Sequence, residues 1–387
     1  MLLSIIIILV IIVLSTELNH HFRITSPLII KPKEFKRKNL DAKQLYSAWI
    51  EISNIHSSME VMIPFFKVNP QVIGISKVDL ISIKTTIKPI HPDEEEQRDD
   101  YWISYILKSK KSTLVKIDVE YEIKSSVKDN FKCIWLEIEW GNYGPFGFIN
   151  RFDGFVIPNY SKTTEKNSSN NNIVEPIKTH ILGSFDDPIS VLKSYLPKDC
   201  LPSDILTIGE SPLAIMQGNY INYKNINVSL IAMLLCKGFH PTSSLATACG
   251  MQTLINIYGP TRVIVSWIIG GIFKSLGIKG VFYRLAGEQA RLIDDITGTT
   301  PPYDKSIVLG PKEAQLFCIE ASRELKVNVA VVDVNDLGRV KIISTNDLIN
   351  TSVIKRALIS NPAGNANQQT PLVLIRQLES KRKSHDS

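Results

Sequence analysis

Three carboxylates, Asp294, Asp295 and Asp333, are the residues whose types and placing suit chemistry. They belong to one stretch, Gly287 to Arg339. In it an aspartate pair leads into the loop TGTTPPYD, the helical run KEAQLFCIEASRELK and the apolar strand VNVAVVDVNDLGR. Carboxylates held near one another, with the hydroxyl of Thr297 and a backbone turn at Gly298, suit a divalent cation bound through oxygen, usually in company with phosphate. Asp333 closes the strand VAVVD, and in α/β domains polar ligands bind outside the carboxyl ends of strands. Gly338 and Arg339 follow it, and arginine grips a carboxylate or phosphate through two parallel bonds. The competing reading is that Asp294, Asp333 and Asp336 only turn and cap elements. No Walker loop, GxGxxG after a strand, HExxH or GxSxG occurs, so the common nucleotide, zinc and serine-hydrolase readings lack a motif.

The elements that must position these residues lie between 173 and 376. The order reads as a strand and turn, a short helix opened by Asp186 and Asp187, a strand over Ile205 to Ile208, and NVSLIAMLLC as helix or strand. The small-residue helix SSLATACGMQTLINIYG comes next. The long apolar run from Arg262 is interrupted by Gly270, Gly271, Lys274 and Gly277, which predicts a buried strand and helix rather than a second membrane span. Near the end, Gly364, Asn365, Asn367, Gln368 and Gln369 precede an apolar strand, Pro371 to Ile375. That amide cluster is either a second contact site or a turn that satisfies its own backbone. Residues 377–387 form a charged tail.

In front of this α/β domain, residues 40–160 read as a β-rich domain. Its opening piece offers Leu45, Trp49, Ile52 and Ile55 on one helical face, after which the period changes to two. Asp93 to Asp100 form an acidic cluster without the glycine of a calcium loop, so a solvated loop is expected. Residues 161–172, SKTTEKNSSNNN, have no aliphatic side chain and read as the interdomain linker.

Leu2 to Leu14 is almost wholly aliphatic and is followed by basic residues. Residues 1–17 are therefore expected to be a transmembrane anchor and 18–39 a basic linker. The positive-inside tendency then puts the bulk of a single-pass protein on the cytoplasmic side, with membrane lipid as a partner through that helix. The net charge of +6 across 387 residues is modest, and no nucleic-acid partner is expected. Five scattered cysteines without a CxxC pair point to reduced core thiols, Cys249 included.

The order of motifs from about Thr179 to Arg339 resembles the ligase domain of coenzyme F420 gamma-glutamyl ligases (F420-0:gamma-glutamyl ligase), and more closely their membrane-anchored cyanobacterial-type relatives. Asp204 to Gly218 resembles the family's early strand and glutamate-glycine turn, Asp294 to Leu325 its aspartate-bearing segment and helix, and Asp333, Gly338 and Arg339 its aspartate, glycine and arginine after a strand. The resemblance implies an α/β (α+β) ligase-type fold behind a β-rich domain and an N-terminal transmembrane helix. It further implies Mg²⁺ or Mn²⁺ held by Asp294 or Asp295 and Asp333, and GTP as the nucleotide, with Thr297, Gly298, Gly338 and Arg339 around it. Asp333 and Arg339 would take the catalytic roles in joining a small-molecule carboxylate to an amino acid, with a homodimer as one oligomeric option. The alternative is a noncatalytic, membrane-associated binding or scaffold protein on the same fold, because Ser211 and Gln217 stand where the family has a lysine and a glutamate.

Overall fold

The computed structural model describes residues 7–15, 26–40, 43–93, 102–144, 147–160, 173–294, 301–335, 338–346, 349–364 and 368–377. The expected linker 161–172, most of the acidic cluster, and Asn365 and Asn367 lie outside the described residues.

Residues 7–15 form helix α1. No helix among the described residues is long and apolar enough to cross a membrane. This overturns the expected transmembrane anchor and, with it, the single-pass topology and the lipid contact through that segment.

Nine strands then build a two-sheet sandwich: β1 (Leu28–Leu40), β2 (Lys43–Asn54), β3 (Val61–Ile63), β4 (Phe66–Ile73), β5 (Leu80–Ile90), β6 (Tyr105–Leu107), β7 (Ser112–Ile123), β8 (Cys133–Gly144) and β9 (Gly147–Pro158). One sheet runs β1-β2-β7-β5; the other runs β4-β8-β3-β6, with β9 paired to β8. The segment expected as a basic linker is the edge strand β1, paired with β2 along its whole length. Its lysines and its proline suit an edge, where unpaired backbone otherwise invites another strand. The segment expected as a helix from Leu45 is β2. The deciding signal was the alternation of Tyr46, Ala48, Ile50 and Ile52, all fully buried, whereas Trp49 lies on the other face under Lys36 and Lys116. Ile117, Val119 and Tyr121 from β7 meet Leu136, Ile138 and Trp140 from β8 in one core.

The second half holds a five-stranded mixed sheet. Its elements begin with β10 (Val174–Ile177), α2 (Pro188–Tyr195), β11 (Ile205–Gly209), α3 (Glu210–Met216) and β12 (Tyr220–Asn222). A helical layer follows: α4 (Leu230–Leu235), α5 (Ala248–Tyr258), α6 (Pro260–Ser275) and α7 (Val281–Ala286). The chain then returns through β13 (Ser306–Val308), α8 (Ala314–Leu325), β14 (Asn328–Asn335), β15 (Arg339–Thr345), α9 (Thr351–Leu358) and β16 (Leu372–Ile375). The sheet order is β10-β16-β11-β14-β15. Only β11 and β14 are parallel neighbours in it. Helices α2 and α8 cover one face and α9 the other. The apolar run from Arg262 is one helix, α6, rather than a strand and a helix. Pro260 opens it, and Gly270 meets Phe282 of α7 so closely that a Cβ would clash.

Candidate functional site

A cleft of about 310 Å³ opens at the carboxyl ends of β11 and β14. These strands run parallel in a register that sets Gly209 beside Val332. The next residue on each, Glu210 and Asp333, therefore emerges at the same edge, in the crevice where α/β sheets bind ligands. Glu210 begins α3, where a carboxylate is favoured by the helix dipole. Asp294 reaches the cleft from the far side, held by backbone bonds with Val308 of β13 (2.8 and 2.9 Å). Thr179, Thr207, Ser211 and Thr370 belong to the lining, and among the described residues no lysine or arginine lines it.

The three carboxyl groups share one electrostatic environment. Burial first, then the charges of Asp333 and Asp294, pushes Glu210 up to about 8, with Lys341 opposing. Asp333 is raised by burial and is pulled back by Lys341, its partner across β14 and β15, and by Arg339. Asp333 is thus the first of the pair to ionise, and Glu210 keeps its proton near neutral pH. The Oε2 atom of Glu210 is buried and has no hydrogen-bond partner among the described residues. A buried carboxyl group raised in this way and left without such a partner makes the cleft the candidate site.

Beside the carboxylates, His180 forms part of the cleft wall. Its ring is almost fully buried, with Nε2 3.2 Å from Asp186 Oδ1 and Nδ1 2.7 Å from the Tyr195 hydroxyl. The Nε2 contact is close but lacks hydrogen-bond geometry, so it is an electrostatic neighbour rather than a bond. Tyr195 accepts from the His180 backbone N–H at 2.8 Å, and the direction of its bond with Nδ1 follows the ring tautomer. Asp186 in turn accepts from Gly183 N–H and the Tyr160 hydroxyl. This network fixes the segment Thr179 to Leu182 that lines the cleft.

Of the residues singled out from sequence, the structure brings Asp294 and Asp333 into one cleft. Arg339 and Gly338 do not line it: Gly338 is an exposed turn with φ of 71°, and Arg339 opens β15 on the surface, acting on Asp333 through its charge. Asp295, Thr297 and Gly298 lie outside the described residues. Sequence reasoning passed over Glu210, Lys341 and His180. The signal for Glu210 was present, a charged residue directly after the strand ILTIG, and it was read only as part of a turn.

The donor set consists of oxygen atoms, which suits Mg²⁺ or Mn²⁺ rather than zinc. Among the described residues no three His, Cys, Asp or Glu side chains already form a cage for a metal ion. A cage is not required of Mg²⁺, which is commonly held by one or two carboxylates and completes its shell with water and ligand phosphates.

Similarities to solved structures are faint. The GAE domain of yeast GGA1 is 14% identical at a TM-score of 0.21 over 35% of this chain and 96% of that one. The collagen-binding subdomain ACE19 of the Enterococcus faecalis surface protein ACE is 8% identical at 0.19, over 35% and 99%. A family 123 glycoside hydrolase from Clostridium perfringens is 13% identical at 0.21, over 34% and 27%. Similarities this weak carry no inference. No curated protein matches the sequence. The sequence profile of the N-terminal Ig-like domain of F420-0:gamma-glutamyl ligase matches residues 29–161, which is the two-sheet sandwich. That finding corrects the reading taken from Thr179 to Arg339. The match lies in the front domain, the part left without a counterpart, and the membrane-anchored relative is not supported, because no helix among the described residues is long and apolar enough to cross a membrane. The fold class is corrected with it: the chain has a β-rich N-terminal Ig-like domain matching that of the F420-0:gamma-glutamyl ligase family, followed by mixed α/β elements, with no membrane-spanning helix among the described residues.

Proposed function

We propose that this chain is a binding protein whose cleft takes up a divalent cation, Mg²⁺ or Mn²⁺, and through it the phosphates of a nucleotide such as GTP. The observation that carries the reading is the buried Oε2 of Glu210, without a hydrogen-bond partner among the described residues, facing Asp333 and Asp294. A cleft with three carboxyl groups and, among the described residues, no lining lysine or arginine repels a phosphate on its own. A bound cation would supply the positive charge that an anionic ligand needs there. Asp333 is the first holder of the ion. Glu210 gives up its proton on joining it, and Asp294 faces the ligand from the opposite wall. Ser211 offers a hydroxyl to the rest of the ligand, whereas Thr207 and Thr370 already donate theirs to the backbone carbonyls of Val373 and Ala363.

A second reading, an amide-forming, γ-glutamyl-type ligase acting on a small-molecule carboxylate and an amino acid, is favoured by one observation. Asp294 and Asp333, far apart in sequence, meet in the same cleft behind an Ig-like domain of that ligase family. In that reading the neutral Glu210 carboxyl is a proton donor poised near working pH.

Calorimetric titration of the full chain with GTP, ATP and GDP, each with and without Mg²⁺ or Mn²⁺, tests the binding reading. Metal-dependent heat that disappears in Asp333→Asn supports it; a folded protein giving no heat with any pair rules it out. Phosphate release on adding amino acids and candidate carboxylates to the loaded protein would favour the ligase over the binding protein.

A further inference from the structure

Part of the cleft wall is built against the other domain. Tyr303 lines the cleft and is buried; its hydroxyl donates to the Leu182 carbonyl at 3.2 Å. Its ring stands edge-on to Trp135 of β8, with centroids 5.2 Å apart at 78°, and edge-on to Tyr220 at 5.0 Å and 71°. Tyr220 donates to the backbone carbonyl of Gly154 in β9 at 2.7 Å. Cys133, Trp135 and Val156 of the Ig-like domain share one apolar cluster with Ala214 and Ile215 of α3 and with Tyr303. Ile215 also lines the cleft, on the helix that Glu210 begins.

There is no slack behind Trp135. A Cβ added at Gly154 would overlap the Trp135 ring, and one added at Gly183 would lie 2.8 Å from Cβ of Val156 and 3.2 Å from the Tyr303 hydroxyl. Edge-to-face aromatic contacts resist sliding because the ring quadrupoles favour one orientation. A displacement of Trp135 is therefore delivered to Tyr303 and α3 rather than absorbed between them.

We propose that the Ig-like domain sets the width, and so the ligand selectivity, of the cleft, with Trp135 as a positioning residue acting through Tyr303. The inference rests on the cleft being the binding site, and its test has one arm that needs no ligand.

In the full chain, Gly154→Ala drives a methyl into the Trp135 ring. Hydrogen exchange is expected to quicken about fivefold or more at Thr179 to Leu182 and at Ser211 to Met216, while β1, β2 and β7 stay protected. Unchanged exchange in both segments overturns the proposal. With Mn²⁺ present, the ratio of affinities for GTP and for pyrophosphate is expected to shift about fivefold, because a moved wall discriminates by ligand size. A constant ratio, with both affinities falling together, is general destabilisation and also overturns it. Adding Trp135→Phe makes room for the methyl, so the double variant is expected to return the ratio to within about twofold of wild type. If Gly154→Ala does not fold, Trp135→Phe alone is read in the same two assays, and no change in exchange or ratio counts against the proposal. If wild type binds neither probe, the proposed function fails while the exchange result still decides the inference.

Discussion

Glu210 makes the stability of this protein depend on pH in a sense opposite to most carboxylates. Its ordinary value is 4.5, and in the fold it is pushed up to about 8 by burial and by the charges of Asp333 and Asp294. Between those values the native state keeps a proton that the unfolded chain has released. Native binds more protons than unfolded, so the free energy of unfolding falls as pH rises. The slope for one such group approaches about 1.4 kcal/mol per pH unit. Across the window this amounts to roughly 5 kcal/mol, fully present below the unfolded value and lost as pH passes the folded one. Glu210→Gln keeps the shape and removes the titration. Urea unfolding of both proteins from pH 5 to 9 should show near equality, within about 1 kcal/mol, at pH 5, and a variant more stable by about 3 to 5 kcal/mol at pH 9. Mn²⁺ adds a second readout. At about a hundred times its dissociation constant it should stabilise wild type at pH 8 by about 2.7 kcal/mol. The same addition should do much less for Glu210→Gln, which offers only a neutral amide. Parallel pH profiles, or equal stabilisation by Mn²⁺, would refute both the placing of the proton and the role of Glu210 as a ligand.

Other perturbations read other parts of the structure. Asp333→Asn should weaken Mn²⁺-dependent GTP binding about a hundredfold, and it should let Glu210 ionise at lower pH by removing the charge that opposes it, seen as a flatter pH dependence of stability. Arg339→Ala, at the surface beside Asp333, should raise the pH at which Asp333 ionises and reduce affinity by less than the loss of Asp333 itself; calorimetry across pH separates the two. Asp186→Asn loses a charged acceptor for Gly183 N–H and for the Tyr160 hydroxyl, and urea unfolding should show a cost of about 2 kcal/mol. Ile138→Ala, in the fully buried core of the sandwich, should cost about 3 kcal/mol by the same assay.

The sandwich was legible wherever one face met the core and the other met water. Val115, Ile117, Val119 and Tyr121 alternate cleanly with polar residues, and that rhythm identifies β7 without further help. The opening of the same domain was not legible, because β1 is an edge strand. Its lysines and proline guard an unpaired backbone, and such a composition reads as a linker until the partner strand is seen. In β2 the helical spacing of Leu45, Trp49 and Ile52 is real, yet it competes with the period-two set Tyr46, Ala48, Ile50 and Ile52. Packing against the second sheet chose the latter, since that set is buried and Trp49 is not.

The site divides along the same physical line between local and nonlocal information. Asp333 was singled out because the apolar run VAVV gives way to an aspartate, although β14 itself continues to Asn335. Glu210 stands in the equivalent place after β11, but its meaning depends on which strand lies beside β11, and that pairing is made by residues far along the chain. A parallel neighbour needs a crossover, so no hairpin turn announces it. Here the crossover contains the whole helical layer. Once β11 and β14 are aligned, Glu210 and Asp333 fall side by side, and the burial that the sheet imposes raises both carboxyl groups, Glu210 to about 8. Arg339 shows the converse. Local sequence put it next to Asp333, whereas the turn at Gly338 and the start of β15 carry it to the surface, where its charge reaches the cleft and its side chain does not line it.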